Sequence, residues 1–185
     1  MSADFKVFID ACVLANYGVC DLLLRLAEKP RQYLPAWSEA VLTEVYRVHT
    51  QKLKRKWPQK LATSFGDALR ANFPEAMSAG YEHLLPAVKN DPKDHHVLAA
   101  AIHAGASIIL TFNLRDFPDE ALAPWGIQAL HPQAYLLTLY DMDSQQVMNR
   151  IVAIAARRGQ DPEDVLITLG KSLPIFTTRL LDDLP

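Results

Sequence analysis

Four acidic residues stand where the surrounding pattern calls for apolar side chains or a plain turn: Asp10, Glu44, Asp94 and Asp116. Asp10 closes the short, mostly apolar run Lys6-Val7-Phe8-Ile9, and in open α/β sheets ligands gather at the carboxyl ends of strands. The same residue is equally placed to cap the helix that follows. Glu44 falls on the stripe Ala40, Val41, Glu44, Val45, Val48, so helical spacing turns it towards the sheet. A lone carboxylate is costly to bury there, and an internal salt bridge or an edge position reached by snorkelling would relieve it. Asp94 precedes Val97, Leu98, Ala101 and Ile102 by one turn on the same side. Its plainer use is to stabilise a helix N-terminus, which Asp91 already supplies. Asp116 follows the β-rich segment Ser107–Thr111 after a short turn, where an aspartate commonly serves the turn itself.

Taken singly these positions are ordinary; gathered at one sheet edge they are not, because four carboxylates repel one another unless a cation neutralises them. Oxygen ligands with little His or Cys nearby favour the hard ions Mg²⁺ or Mn²⁺ over zinc. Such a cluster activates water and clamps the oxygens of a phosphodiester for in-line attack. The chemistry implied is metal-dependent phosphodiester hydrolysis.

The elements that must hold these acids read as strands alternating with helices. Lys6–Asp10 reads as a strand, Val13–Glu28 as a helix stopped near Pro30, Gln32–Trp37 as a second strand, and Ser38 as the cap of a helix from Glu39 to about Lys56. Residues 59–88 read as one or two helices broken near Pro74 and Gly80. Asp91 caps, Pro92 opens and Gly105 closes a further helix; Ser107–Thr111 and, more weakly, Ile127–Leu130 follow as strands. The alternation predicts a three-layer α/β/α domain around a central parallel sheet over residues 1–140. Residues 141–185 are expected to form a helical C-terminal extension, with stops at Gly159 and Gly170 and a last segment after Pro174.

Composition narrows the class. The chain of 185 residues is 50% apolar and 22% charged, enough apolar surface for one globular domain with a small appendage. Nineteen Lys and Arg against 21 Asp and Glu leave a charge of −2, so nucleic-acid affinity must come from a local patch. The longest apolar stretch, Val97–Phe112, is interrupted by His103 and Ser107 and is too short to span a membrane. The run Phe5–Ile9 between Asp4 and Asp10 is too short for a secretory signal, and a cytoplasmic location is expected. Cys12 and Cys20 are read as free thiols.

The segments Phe8-Ile9-Asp10-Ala11-Cys12-Val13-Leu14, Glu44 in an early helix, Asp94-His95-His96-Val97-Leu98-Ala99-Ala100-Ala101 and Leu110-Thr111-Phe112-Asn113-Leu114-Arg115-Asp116-Phe117 together resemble the successive motifs of PIN-domain ribonucleases. The resemblance covers roughly residues 4–135 and is strongest to VapC-type toxins of bacterial toxin–antitoxin pairs. It implies a Mg²⁺-dependent endoribonuclease acting on structured RNA such as tRNA or rRNA and restrained by a cognate antitoxin. By position, Asp10, Asp94 and Asp116 would ligate metal, Glu44 would help hold metal or orient the attacking water, Asn113 would assist through its amide and Thr111 would position the loop. Asp91 competes with Asp94, although its Asp-Pro context suits a cap. Many PIN domains carry a hydroxyl residue just after the first Asp, where this chain has Ala11 and Cys12. That departure motivates an alternative: a catalytically weak PIN-like module that binds RNA or a protein partner.

Between Val45 and Gly66 lie Arg47, Lys52, Lys54, Arg55, Lys56 and Lys60 with no acid, a candidate track for RNA phosphates, a solvated face or an antitoxin-docking surface. His49 and Trp57 are candidate base-stacking groups beside it. Arg115 either contacts phosphate or, preferably, pairs with a nearby acid, and His95 and His96 read as surface or supporting groups. Leu22, Leu23, Leu24 and Leu26, with Val147, Ile151 and Ile154, serve either the core or a homodimer or antitoxin interface.

Overall fold

A computed structural model of the chain describes residues 5–183; Asp4, which bounds the first apolar run, lies outside the described residues. Five parallel strands form one sheet: β1 (Lys6–Ile9), β2 (Leu34–Ser38), β3 (Met77–Ser78), β4 (Ile108–Leu110) and β5 (Gln128–Leu130), in the order β3-β2-β1-β4-β5. β1 is central, with Phe8 paired to Ala36 on one side and to Ile109 on the other. Val7, Phe8 and Ile9 are fully buried because helices cover both faces, which is why the strand reads as a continuous apolar run. The chain steps outward from β1 to β3, returns across the sheet, and continues from β4 to β5. This reversal makes the carboxyl ends of β1 and β4 the topological switch point, where open α/β sheets bind their ligands.

The first expected helix is two helices. α1 (Ala11–Leu14) and α2 (Tyr17–Ala27) are split at Asn16, whose side chain accepts from the Val19 N–H and donates to Ser172 Oγ, so a local Asn cap outcompetes helix continuation. Ser38 caps α3 (Glu39–Arg47) through the Val41 N–H, as the sequence predicts. The helix does not reach Lys56: a widened π turn at Val48–Lys52 ends it, and the Trp57 N–H donates to the His49 carbonyl. α4 (Gln59–Asn72) follows. The sequence misses β3, which at two residues is too short to show any period; Ser78 Oγ anchors it to the Ala100 carbonyl.

α5 (His95–Ala104), packed on β1 to β4, carries Val97, Leu98, Ala99, Ala100 and Ala101 fully buried. It ends at Gly105 with φ +67, a left-handed position that only glycine takes without strain. Replacing Leu98 by Ala is expected to cost about 2–5 kcal/mol in denaturant unfolding, because the sealed layer around it has little room to collapse; a cost under about 1 kcal/mol would show that this interface is loosely packed.

α6 (Asp119–Leu122) joins β4 to β5, and α7 (Pro132–Met142), capped by His131 Nδ1, has no counterpart in the sequence reading. The tail forms α8 (Ser144–Arg158), α9 (Pro162–Leu169) and α10 (Pro174–Asp182), with Asp143 capping α8 through the Gln146 N–H. α8 lies against α2, fastened by an Arg158–Asp21 ion pair at 2.8 Å. Leu22, Leu23, Leu26, Val147, Ile151 and Ile154 are all buried here. They form the chain's own core rather than the interface offered as their other use, because α2 and the tail satisfy each other's apolar faces. Among the described residues no helix is long and apolar enough to cross a membrane.

Candidate active site

The strand ends at the switch point open into a cleft of about 440 Å³ lined by Asp10, Glu44, Asp94 and Asp116. The fold therefore brings together all four acids that stood apart in the sequence. Asp10 is the deepest, 4% exposed. Its Oδ1 accepts from the Ala11 N–H at 2.6 Å, so it does cap α1. Its Oδ2 accepts from Thr111 Oγ1 at 2.8 Å and from Cys12 Sγ at 2.9 Å. Capping and site roles thus coexist in one carboxylate, since the cap uses one oxygen and the other faces β4.

Thr111 is fully buried, and its Oγ1 also accepts from the Asn113 N–H at 3.0 Å, which sets the turn leading to Asp116. The Asp91 N–H donates to the Asp116 carbonyl at 3.1 Å, tying the two acid-bearing loops together. Asp91 itself caps the turn before α5 by accepting from the Lys93 N–H, leaving Asp94 as the residue that faces the cleft. Asn90, buried, steadies the same loop by donating to the Asp94 carbonyl, and His95 Nε2 lies 3.0 Å from the Asn90 carbonyl.

Glu44 does not face the sheet as its stripe suggests. Its side chain is 36% exposed and reaches the cleft from the edge, with Oε1 3.4 Å from His96 Nε2. Snorkelling wins because the β1 end leaves open space beside the last turns of α3.

The electrostatics register the crowding. Burial first, then the charges of Asp10, Asp116, Glu44 and Asp91, push the Asp94 carboxyl up to about 7. Burial and the Asp10 charge push the Cys12 thiol up to about 12, so it is a protonated donor rather than a thiolate.

The cleft offers oxygen donors of the kind a divalent cation takes. Among the described residues no three His, Cys, Asp or Glu side chains stand close enough to form a ready-made cage. The chemistry nevertheless suits a hard ion: the acids share one cleft, and among the described residues none is paired with an arginine and no side-chain hydrogen bond or ion pair engages the carboxylates of Asp94 and Asp116.

The basic residues follow on from this cleft. Arg47 and Lys52 line it, and Lys54, Arg55 and Lys56 are exposed on the segment that continues away; among the described residues none is in an ion pair. Lys93, which sequence reasoning passed over, lines the cleft too; its signal was its place between Asp91 and Asp94. Asn113 lines the cleft from the turn after β4. His49 is not a base-stacking group: it is fully buried, stacks on Trp57 at 3.9 Å and lies 3.2 Å from the Ala15 carbonyl, because the π turn folds it inward. Arg115 is exposed and makes no ion pair among the described residues, against the pairing preferred for it.

A reversed-order parallel sheet with acids at its switch point and an acid just before α5 is the architecture of the family that the chain belongs to: it is a PIN-domain protein, matched by the family over residues 3–115. It is similar to "Putative ribonuclease VapC50" of Mycobacterium tuberculosis (strain ATCC 25618 / H37Rv), 39% identical over 107 residues that make up 56% of this chain and 63% of that protein. The chain thus spans less than two thirds of the length of this curated relative. No solved structure is significantly similar to it.

Proposed function

We propose that the protein is an endoribonuclease that hydrolyses RNA phosphodiester bonds in this cleft with the help of Mg²⁺ or Mn²⁺ held by Asp10, Asp94 and Asp116. The observation that carries the reading is the single cleft at the ends of β1 and β4 that Asp10, Glu44, Asp94 and Asp116 line together. When bound, the cation would supply charge for the phosphate oxygens and acidify water. Glu44, open to solvent at the rim, is placed to orient the attacking water and take its proton. Asn113 presents an amide to the same space, and Thr111 acts behind it by holding Asp10 and the turn. Arg47, Lys52, Lys54, Arg55 and Lys56 would hold the phosphates of the strand as it leaves the cleft.

Similarity to a protein named for the VapC group supports a toxin restrained by a cognate antitoxin, with structured RNA as substrate. Residues 1–140 are the nuclease domain in this reading, and residues 141–185 a helical extension that covers α2. Purified protein should cut RNA only with Mg²⁺ or Mn²⁺ present. Changing Lys54 and Arg55 together to Glu should weaken RNA binding by about tenfold or more at low salt. It should also reduce the salt slope of log affinity by about 1 per lost phosphate contact. Unchanged affinity and slope in fluorescence anisotropy would remove this segment from the RNA path.

A second reading, a catalytically weak PIN-like module that binds RNA or a protein, is favoured by the absence, among the described residues, of a ready-made cage of three ligands. Calorimetry separates the two: no uptake of Mn²⁺ or Mg²⁺ at millimolar concentration, with RNA binding intact, would establish the module.

A further inference from the structure

The carboxylate at the floor of the cleft is held by an unusual set of donors. Asp10 Oδ2 receives both the Thr111 hydroxyl at 2.8 Å and the Cys12 thiol at 2.9 Å, while Oδ1 receives the Ala11 N–H. Neither side-chain donor is at liberty to turn away. Thr111 Oγ1 already accepts from the Asn113 N–H, and Cys12 Sγ already accepts from the Phe112 N–H at 3.3 Å. Each group accepts a backbone N–H from the turn after β4 and has one proton to give, and Asp10 Oδ2 at 2.8 and 2.9 Å is a nearer and charged acceptor than the other heteroatom. The two heteroatoms, 3.4 Å apart, therefore converge on one oxygen. A carboxylate offers about four lone-pair sites, and three donors leave it with a single fixed direction in which to meet a ligand.

We propose that Cys12 is a positioning residue: its thiol proton, together with the Thr111 hydroxyl, locks the Asp10 carboxylate in the one orientation from which it can hold a divalent cation in the cleft. Cys12 also ties the end of β1 to the turn after β4, so the acid that follows each strand is set by the same side chain. Cys20, buried in α2, has no side-chain hydrogen bond to these groups among the described residues. The inference rests on the metal reading of the cleft proposed above.

The test is Mn²⁺ affinity by calorimetry on the full chain without RNA, with thermal melting alongside, for the unchanged protein and for Cys12→Ala, Cys12→Val and Cys12→Ser. Partners that orient a metal ligand are worth about 10–100-fold in metal affinity. Cys12→Ala and Cys12→Val, which lack a donor, are expected to bind Mn²⁺ about tenfold or more weakly. Cys12→Ser, which keeps a donor, is expected to stay within about threefold of the unchanged protein. Val fills the space of the thiol, so it decides the matter if the Ala variant does not fold. A purely structural role predicts the opposite order, because a hydroxyl in a half-buried thiol site stabilises packing less than a methyl does. Ala and Val variants that bind as tightly as the unchanged protein, or a Ser variant no better than Val, would overturn the proposal. If Asp10→Asn loses Mn²⁺ while these Cys12 variants keep it, only the role of Cys12 falls. If the unchanged protein takes up no Mn²⁺, both readings fall together.

Discussion

Asp10→Asn is expected to lower metal-dependent RNA cleavage by about 10³-fold or more while the protein stays folded. The loss follows from the several kcal/mol of transition-state stabilisation that a correctly held cation supplies, and Asp10 is the buried acid at the centre of the cleft. The fold should survive because Asn still offers an oxygen to cap α1 through the Ala11 N–H. The amide must, however, present its NH₂ to the Thr111 hydroxyl and the Cys12 thiol, which now serve as donors. That clash adds about 1–3 kcal/mol of destabilisation. The measurement pairs cleavage rates under excess Mg²⁺ with circular-dichroism melting. A folded variant that still cuts at more than a tenth of the normal rate would remove Asp10 from the machinery and with it the proposed activity.

Asp94→Asn should separate stability from activity in opposite directions. In the folded, metal-free protein the Asp94 carboxyl is pushed up to about 7 from its ordinary value of 3.8, by burial and then by Asp10, Asp116, Glu44 and Asp91. A carboxyl raised on folding takes up protons when the chain folds, so stability falls as pH rises from about 4 to about 7 and stays low above that window. The side chain is only partly buried, and after discounting for solvent screening the penalty is about 1–2 kcal/mol. At pH 8 the Asn variant should therefore melt roughly 2–8 °C above the unchanged protein. The gain should fade towards pH 4, where the carboxyl is neutral in both states. Mg²⁺ should raise the melting temperature of the unchanged protein and leave the variant nearly unmoved, while cleavage drops at least a hundredfold. A variant that melts lower at pH 8 than at pH 4 relative to the unchanged protein would show that Asp94 is stabilised by its surroundings, and the crowded-acid picture would be wrong.

Much of the scaffold was legible from local rules. The cap at Ser38, the Asp91-Pro92 turn that leads into α5, the glycine stops at Gly105 and Gly159 and the three tail helices all sit where one residue satisfies a backbone group by itself. Elements whose existence depends on a distant partner were not. The break at Asn16 needs Ser172, β3 needs the edge of β2 and the Ala100 carbonyl, and the inward fold of His49 needs Trp57 and Ala15. The apolar stripes of α2 and α8 left core and interface both open, because each carries its period without naming its partner.

The amino-acid order by itself determined the alternation of strands and helices, the positions of the acids at strand and helix ends, and the family to which the chain belongs, because apolar period and capping chemistry act over a few residues. Only the folded chain decided that Asp10, Glu44, Asp94 and Asp116 share a cleft, that Glu44 reaches it from the rim, and that Thr111 and Cys12 converge on Asp10. Those relations join residues up to about a hundred positions apart, and side-chain direction at such separation is set by strand order and packing, which no local pattern encodes.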